Sequence, residues 1–206
     1  MIKRVLSTTV QVLEGVGGIV GIRIGTEEPF YLARPLAGDV ELRQYGPRIA
    51  AETTVFEDDE AARSTGFRRL AGYIFGGNHR DATIAMTAPV AQKSDAIAMT
   101  APVAQTHSAD GGSVIRFYMP SKWSLATLPA PDDDAVRLVE VPAETFAVIR
   151  FSGDRGSAAV RRQTQSLLDV LRDNHIATNG HPQAWFYDPP WTLPFRRRNE
   201  VAVPVA

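Results

Sequence analysis

The sequence predicts an α+β domain made of two similar halves, each a small antiparallel sheet holding one helix. Three observations carry this. Segments patterned as strands, a helix and strands occur in that order twice along the chain. That order is not the βαβαβ alternation of a doubly wound parallel sheet. The 206 residues, 44% hydrophobic and 22% charged, suit one globular domain with a core of its own.

The first segment stands apart. Residues 1–28 form an N-terminal segment in which Leu6, Val10, Leu13, Val16 and Val20 fall near helical spacing, with Gly17, Gly21 and Gly25 four apart. It reads as a short amphipathic helix packed on the domain or on a neighbouring chain. A membrane-surface anchor and a cleaved signal are the alternatives. Glu14 and Arg23 leave too short an apolar run for a spanning helix, which needs about 20 residues. The domain proper is expected over residues 29–206.

Within it, period-two and β-branched runs predict strands at Val40 to Tyr45, Ile49 to Val55, Ile84 to Val90, Ile97 to Val103, Val114 to Met119, Val136 to Val141, Thr145 to Phe151, Gln183 to Tyr187 and Glu200 to Val205. The first helix is expected in EDDEAARSTGFRRLAGYIFGGN. Ala62, Gly66, Leu70 and Tyr73 share its apolar face, joined by Phe67 and Ile74. Its acidic start complements the helix dipole, and Gly76 and Gly77 supply a stop. The second helix, in GSAAVRRQTQSLLDVLRDN, carries the stripe Val160, Thr164, Leu167, Leu168 and Leu171, with Ser157 as its N-cap. Asp132 to Asp134 read as a solvated turn.

The nine letters IAMTAPVAQ occur twice, at Ile84 to Gln92 and Ile97 to Gln105. A polar turn lies between them, so they read as a scaffold hairpin. Pro89 and Pro102 belong at strand ends or edges, because proline cannot donate to a ladder. Met86 and Met99 read as soft core filler.

The chemistry is sparse. With no cysteine in the chain, disulfides, thiolate metal sites and a Cys nucleophile are excluded. A net charge of −1 gives no overall attraction to nucleic acid or anionic membrane. No Walker loop, dinucleotide fingerprint, HExxH or GxSxG is present. His79, His107, His175 and His181 are scattered, and no carboxylates form a readable catalytic constellation. From residue chemistry alone the chain reads as a binder rather than an enzyme.

Six motifs then occur in one order: VELRQYGPRIAAET, GFRRLAGYIFGGN, IAMTAPV, IRFYMPSKWSLATLPAP, VIRFSG and YDPPWTLPFRRRNEV. In that order they resemble the SOUL haem-binding protein family, over about Tyr31 to Val205, and the chain is expected to be a bacterial member. The resemblance implies two βαββ-type halves forming a distorted antiparallel β-barrel flanked by two helices. It implies a tetrapyrrole ligand, haem or metal-free porphyrin, placed against the first helix and the loop before the last strand. Carried over, those positions are Arg63, Phe67, Arg69, Leu70, Tyr73 and Ile74, with Asp188, Pro189, Pro190 and Trp191 opposite. An apolar helix face can cover a flat ring, while arginines at its margin pair with propionates. Core packing for Phe67, Leu70 and Ile74, and a solvated face for Arg63 and Arg69, are the plain alternatives.

Some members carry a His, proposed to bind iron, where this chain has Gln44. An amide is a poor iron ligand beside imidazole. His79, directly after the first helix, is the nearest substitute, with Tyr45 and Tyr73 as phenolate alternatives. The expected function is a haem or porphyrin carrier or buffer without chemistry of its own. The alternatives are a haem-modifying or iron-releasing enzyme and a general small-molecule or partner-binding module. Nucleic acid is not an expected partner, and Asn199 and Glu200 are expected to lead into the last strand with an Arg pairing an acid across the sheet. Membrane-surface contact or self-association through residues 1–28 is open, and the expected location is cytoplasmic.

Overall fold

The computed structural model describes residues 27–79, 96–189 and 191–206. The expectations for residues 1–26, for the strand Ile84 to Val90 with Met86, and for Pro190 lie outside the described residues.

Eleven strands and two helices follow in the order β1 Tyr31–Ala37, β2 Val40–Tyr45, β3 Arg48–Val55, α1 Asp59–Ile74, β4 Asn78–His79, β5 Val103–His107, β6 Ser113–Tyr118, β7 Ala130–Pro131, β8 Arg137–Val141, β9 Glu144–Phe151, α2 Ser157–Asp173, β10 Gln183–Phe186 and β11 Asn199–Pro204. Nine strands make one sheet in the order β1-β2-β9-β11-β10-β5-β6-β3-β8, and β4 pairs with β7. Every pairing is antiparallel. Two separate small sheets are therefore not formed. Each half contributes a β-α-β-β run, β3-α1-β5-β6 and β9-α2-β10-β11, and the halves join where β5 pairs β10.

The halves also exchange a strand. Gly46 and Pro47 join β2 to β3, yet β2 pairs with β9 and β3 with β8. Pro142 and Ala143 make the matching link from β8 to β9. Two-residue links can join strands from opposite ends of a sheet only if that sheet curls, which gives the distorted barrel. Arg48 fastens the join. Its Nη2 donates to Glu144 at 2.6 Å, and its guanidinium lies 4.5 Å from the Tyr45 ring and 4.7 Å from the Tyr118 ring.

Period-two alternation sorts side chains to either face. On β9, Phe146 and Val148 point into the barrel with Tyr45, Tyr118 and Trp185, while Ala147 and Ile149 point outward under α2. On β6, Ile115 and Phe117 pack beneath α1. Gly66 lets α1 approach closely, because a Cβ there would sit 2.4 Å from Ile115 Cγ1. Asp58 caps α1 by accepting from the Glu60 and Ala61 amides. The cap of α2 is Gly156 rather than Ser157, which is the first helical residue. Asp154 Oδ1 accepts the Gly156 amide and orders the turn ahead of the helix, but no side chain caps the first helical amides.

The second copy of the repeat is not a strand from Ile97 to Val103. β5 begins at Val103, after Pro102, whose nitrogen has no proton for a ladder. Ile97 instead donates its amide to the Ile74 carbonyl at 2.8 Å and is buried against α1. Met99 is exposed rather than core filler. β1, β4 and β7 were not expected. β1 is an edge strand with mostly exposed side chains and a proline, so it carries little alternation. No helix among the described residues is long and apolar enough to cross a membrane.

Candidate functional site

Because β5 and β10 pair at the seam between the halves, the N-terminal turns of α1 and α2 stand on either side of it. A groove of about 390 Å³ lies between them. Asp59 and Arg63 line it from α1, Ser157, Val160 and Thr164 from α2, and Gln105, Gln183 and Phe186 from the sheet. His107 and His181 also line it, and His107 Nε2 lies 3.5 Å from Asp59 Oδ1.

At Arg63 the groove adjoins a second arginine, Arg155. The Arg63 guanidinium lies 4.5 Å from the centre of the Phe186 ring, and that of Arg155 lies 6.0 Å from it. Arg63 Nη1 donates to the Arg155 carbonyl at 3.4 Å, and Arg155 Nη1 to the Asp188 carbonyl at 3.4 Å. Three segments thus meet here: α1, the loop before α2 and the loop after β10. Among the described residues no carboxylate lies within ion-pair distance of either guanidinium. Burial lowers the Arg63 pKa. Burial, then the charges of Arg63 and Arg197, push that of Arg155 down to about 10. Both remain cations at neutral pH: Glu60, Asp59 and Asp154 favour the Arg63 charge from beyond ion-pair distance, and Glu60 and Asp188 that of Arg155.

The expected site residues divide. Arg63 reaches the Asp188 end of the loop through Arg155, so the helix and the loop do meet. Pro189 is half-buried next to Asp188, and Trp191 is exposed. Phe67 is half-buried with its ring 5.4 Å from that of Phe117. Arg69 faces β3, with Nη1 3.4 Å from Thr53 Oγ1. Leu70, Tyr73 and Ile74 are buried under α1 and present almost no surface. Arg155 and Phe186 were not anticipated. Arg155 reads as a loop cation and Phe186 as one of several apolar strand residues, and nothing local to either connects them to Arg63.

The iron-ligand candidates are placed elsewhere. His79 Nδ1 lies 2.5 Å from Asp132 Oδ1, beyond the C-terminal end of α1. Gln44 is exposed on β2. Tyr45 and Tyr73 are buried, and burial raises both phenols, Tyr73 to about 12, so neither favours the phenolate. Tyr73 donates to the Pro129 carbonyl at 2.9 Å. Among the described residues no group of three His, Asp or Glu side chains is arranged to hold a metal ion.

A larger cavity, about 790 Å³, opens at the barrel end beside the two strand links, with Phe30, Ile49, Tyr118 and Trp123 on its walls. Its acids are Glu27, Glu28 and Glu140, against the single arginine Arg48. That charge pattern disfavours a dicarboxylate, whereas the smaller groove sets Arg63 and Arg161 against the single acid Asp59 among its described lining residues, with Arg155 beside Arg63.

Glu200, on the last strand, is paired inside the barrel. Arg43 donates to its carboxylate through Nη1 at 2.6 Å and Nη2 at 2.9 Å. Tyr187 Oη and Arg198 Nε complete it at 2.7 and 2.8 Å. Burial alone would raise the Glu200 carboxyl, but these arginines hold it below the ordinary value. Arg198 also meets Glu28 at 3.1 Å, so the arginine run is in part structural.

Comparison with known proteins agrees with this frame. The family model described as SOUL heme-binding protein matches residues 26–204. Heme-binding protein 2 of Mus musculus is 30% identical over 171 residues, covering 81% of this chain and 78% of that relative. Heme-binding protein 1 of Xenopus tropicalis is 28% identical over 163 residues, covering 78% and 80%. Among solved structures, the EcmrR C-terminal domain aligns with a TM-score of 0.57 at 12% identity, over 86% of this chain and 98% of that one, a likeness of fold alone.

Proposed function

Since the chain belongs to the SOUL haem-binding protein family, we propose that it is a reversible tetrapyrrole carrier whose ligand lies along the groove between α1 and α2, with its carboxylates at Arg63 and Arg155. The single observation that carries this reading is the pair of guanidinium groups over Phe186 with no carboxylate within ion-pair distance among the described residues. Half-buried cations without an anion are costly, and a ligand carboxylate offsets that cost through charge-assisted hydrogen bonds. The groove is open-sided, so it covers part of a flat ring and leaves the rest to the chain at Pro189.

His79 would supply an iron bond, but its place beyond the far end of α1 favours binding through the ring and its carboxylates. Haem and metal-free protoporphyrin then bind with similar affinity. The haem iron, when present, would supply redox chemistry, and this chain's contribution is to hold the ligand. Titrating the purified protein with hemin and with protoporphyrin IX tests the proposal. A saturable Soret change and fluorescence quenching at micromolar ligand support it, and their absence refutes it.

The larger cavity favours a second reading, a small-molecule-binding module. Its aromatic walls and acidic rim suit an apolar or cationic compound rather than a porphyrin acid. Recovery of such a compound from protein purified from its native host would favour that reading.

A further inference from the structure

We infer that the loop from Trp191 to Arg197 is a membrane-contact surface, fitted to a layer of anionic phospholipid headgroups. Three large apolar side chains leave the fold here: Trp191 is 62% exposed, Leu193 41% and Phe195 69%. Between the first two, Thr192 is fully buried. The exposure is built in. Thr192 donates its amide to the Pro189 carbonyl at 3.1 Å, and Arg196 to Leu193 at 2.9 Å. Gly153 donates to the Pro194 carbonyl at 2.8 Å, and Arg197 Nε to the Thr192 carbonyl at 2.8 Å. Single exposed apolar residues are ordinary, but three held outward by one braced loop make a contact surface.

The charge selects the partner. Arg196 is exposed, and the sequence carries no acid between Trp191 and Arg198, in a chain whose net charge is −1. Indole at headgroup depth and arginine beside anionic lipid are the favoured pairing at a bilayer surface. The patch rests on three side chains of a seven-residue loop, where a stable protein interface takes about 20–30 residues a side. A bilayer needs only a few inserted side chains. The loop begins beside Asp188, whose carbonyl accepts from Arg155, so docking would hold the arginine end of the groove at the lipid surface.

The test uses the full chain without tetrapyrrole. It measures sedimentation with phosphatidylcholine vesicles, with and without phosphatidylglycerol, at low and high salt. Binding should require phosphatidylglycerol and weaken with salt. L193S/F195S should lose affinity by about tenfold or more, since both apolar side chains that bury in the lipid are removed, while its circular dichroism and porphyrin titration stay unchanged. Bromine-labelled lipid should quench tryptophan emission in the wild type and not in W191F. No binding to the anionic vesicles, or equal binding by L193S/F195S, overturns the inference. So does capture of an acidic protein by a chain that ignores vesicles.

Discussion

Arg63 and Arg155, 92 residues apart, approach one phenyl ring, that of Phe186, at 4.5 and 6.0 Å, and share a hydrogen bond from the Arg63 guanidinium to the Arg155 carbonyl. Contact with an aromatic face returns about 0.5–2 kcal/mol to a cation, which does not replace a carboxylate. The arrangement is suited to an anion brought from outside.

Replacing Arg155 should therefore separate stability from binding. R155L removes a half-buried charge crowded by Arg63 and Arg197. Its thermal midpoint should stay level or rise. Its affinity for protoporphyrin IX should fall by about tenfold or more, the worth of one charge-assisted hydrogen bond at roughly 1.5–3 kcal/mol. Calorimetry and fluorescence titration on the same preparation check both.

Glu200 makes the barrel acid-sensitive. Its folded pKa is depressed, so its stabilisation is full above the unfolded value near 4.3 and is lost as pH falls through the folded value. Urea midpoints should drop as pH falls below about 4.3. E200Q should cost about 1.5–3 kcal/mol at neutral pH, because buried Arg43 loses its bidentate partner and keeps only the part-exposed Glu41, and should flatten the acid limb.

Gly66 sets the height of α1 above the sheet. Alanine would add about 1 kcal/mol of helix propensity, but its Cβ would lie 2.4 Å from Ile115 Cγ1 and 2.8 Å from Ile115 Cβ. The clash decides the sign, and G66A should destabilise by about 1–3 kcal/mol. In a double-mutant cycle with I115A, the combined loss should be smaller than the sum of the single losses.

His79 and Arg63 flank α1 at opposite ends, and the 11 residues from Arg63 to Ile74 span about 16 Å of helix. H79A should leave the Soret position of the ferric haem complex unchanged. A shift would show an iron bond from His79 and move the ligand toward the C-terminal end of the helix.

Much of this was legible in the chain, for local reasons. The apolar face of α1 emerged from 3.6-residue spacing, and Ala62, Gly66, Leu70, Tyr73 and Ile74 are all buried. Alternation in VELRQY and ETFAVIRF marked β2 and β9. What periodicity could not reveal is which strands pair. The exchange of β2 and β8 between halves depends on closing the curl, through contacts such as Arg48 with Glu144, 96 residues away. β4 and β7 have two residues each, too few for any pattern. The site divides the same way. The helix and the downstream loop were visible as motifs, but the residue joining them, Arg155, is an ordinary loop cation until the fold sets it beside Arg63.

The measurement that tests the central claim most directly compares protoporphyrin IX with its dimethyl ester on the wild type and on R63A/R155A. The ring is the same in both ligands, and only the carboxylates differ. The free acid should bind the wild type saturably at micromolar concentration, while the ester, and either ligand on the double variant, should bind about tenfold or more weakly. Equal binding of acid and ester by the wild type, or no loss in the double variant, would contradict the assignment of Arg63 and Arg155 to the ligand's carboxylates.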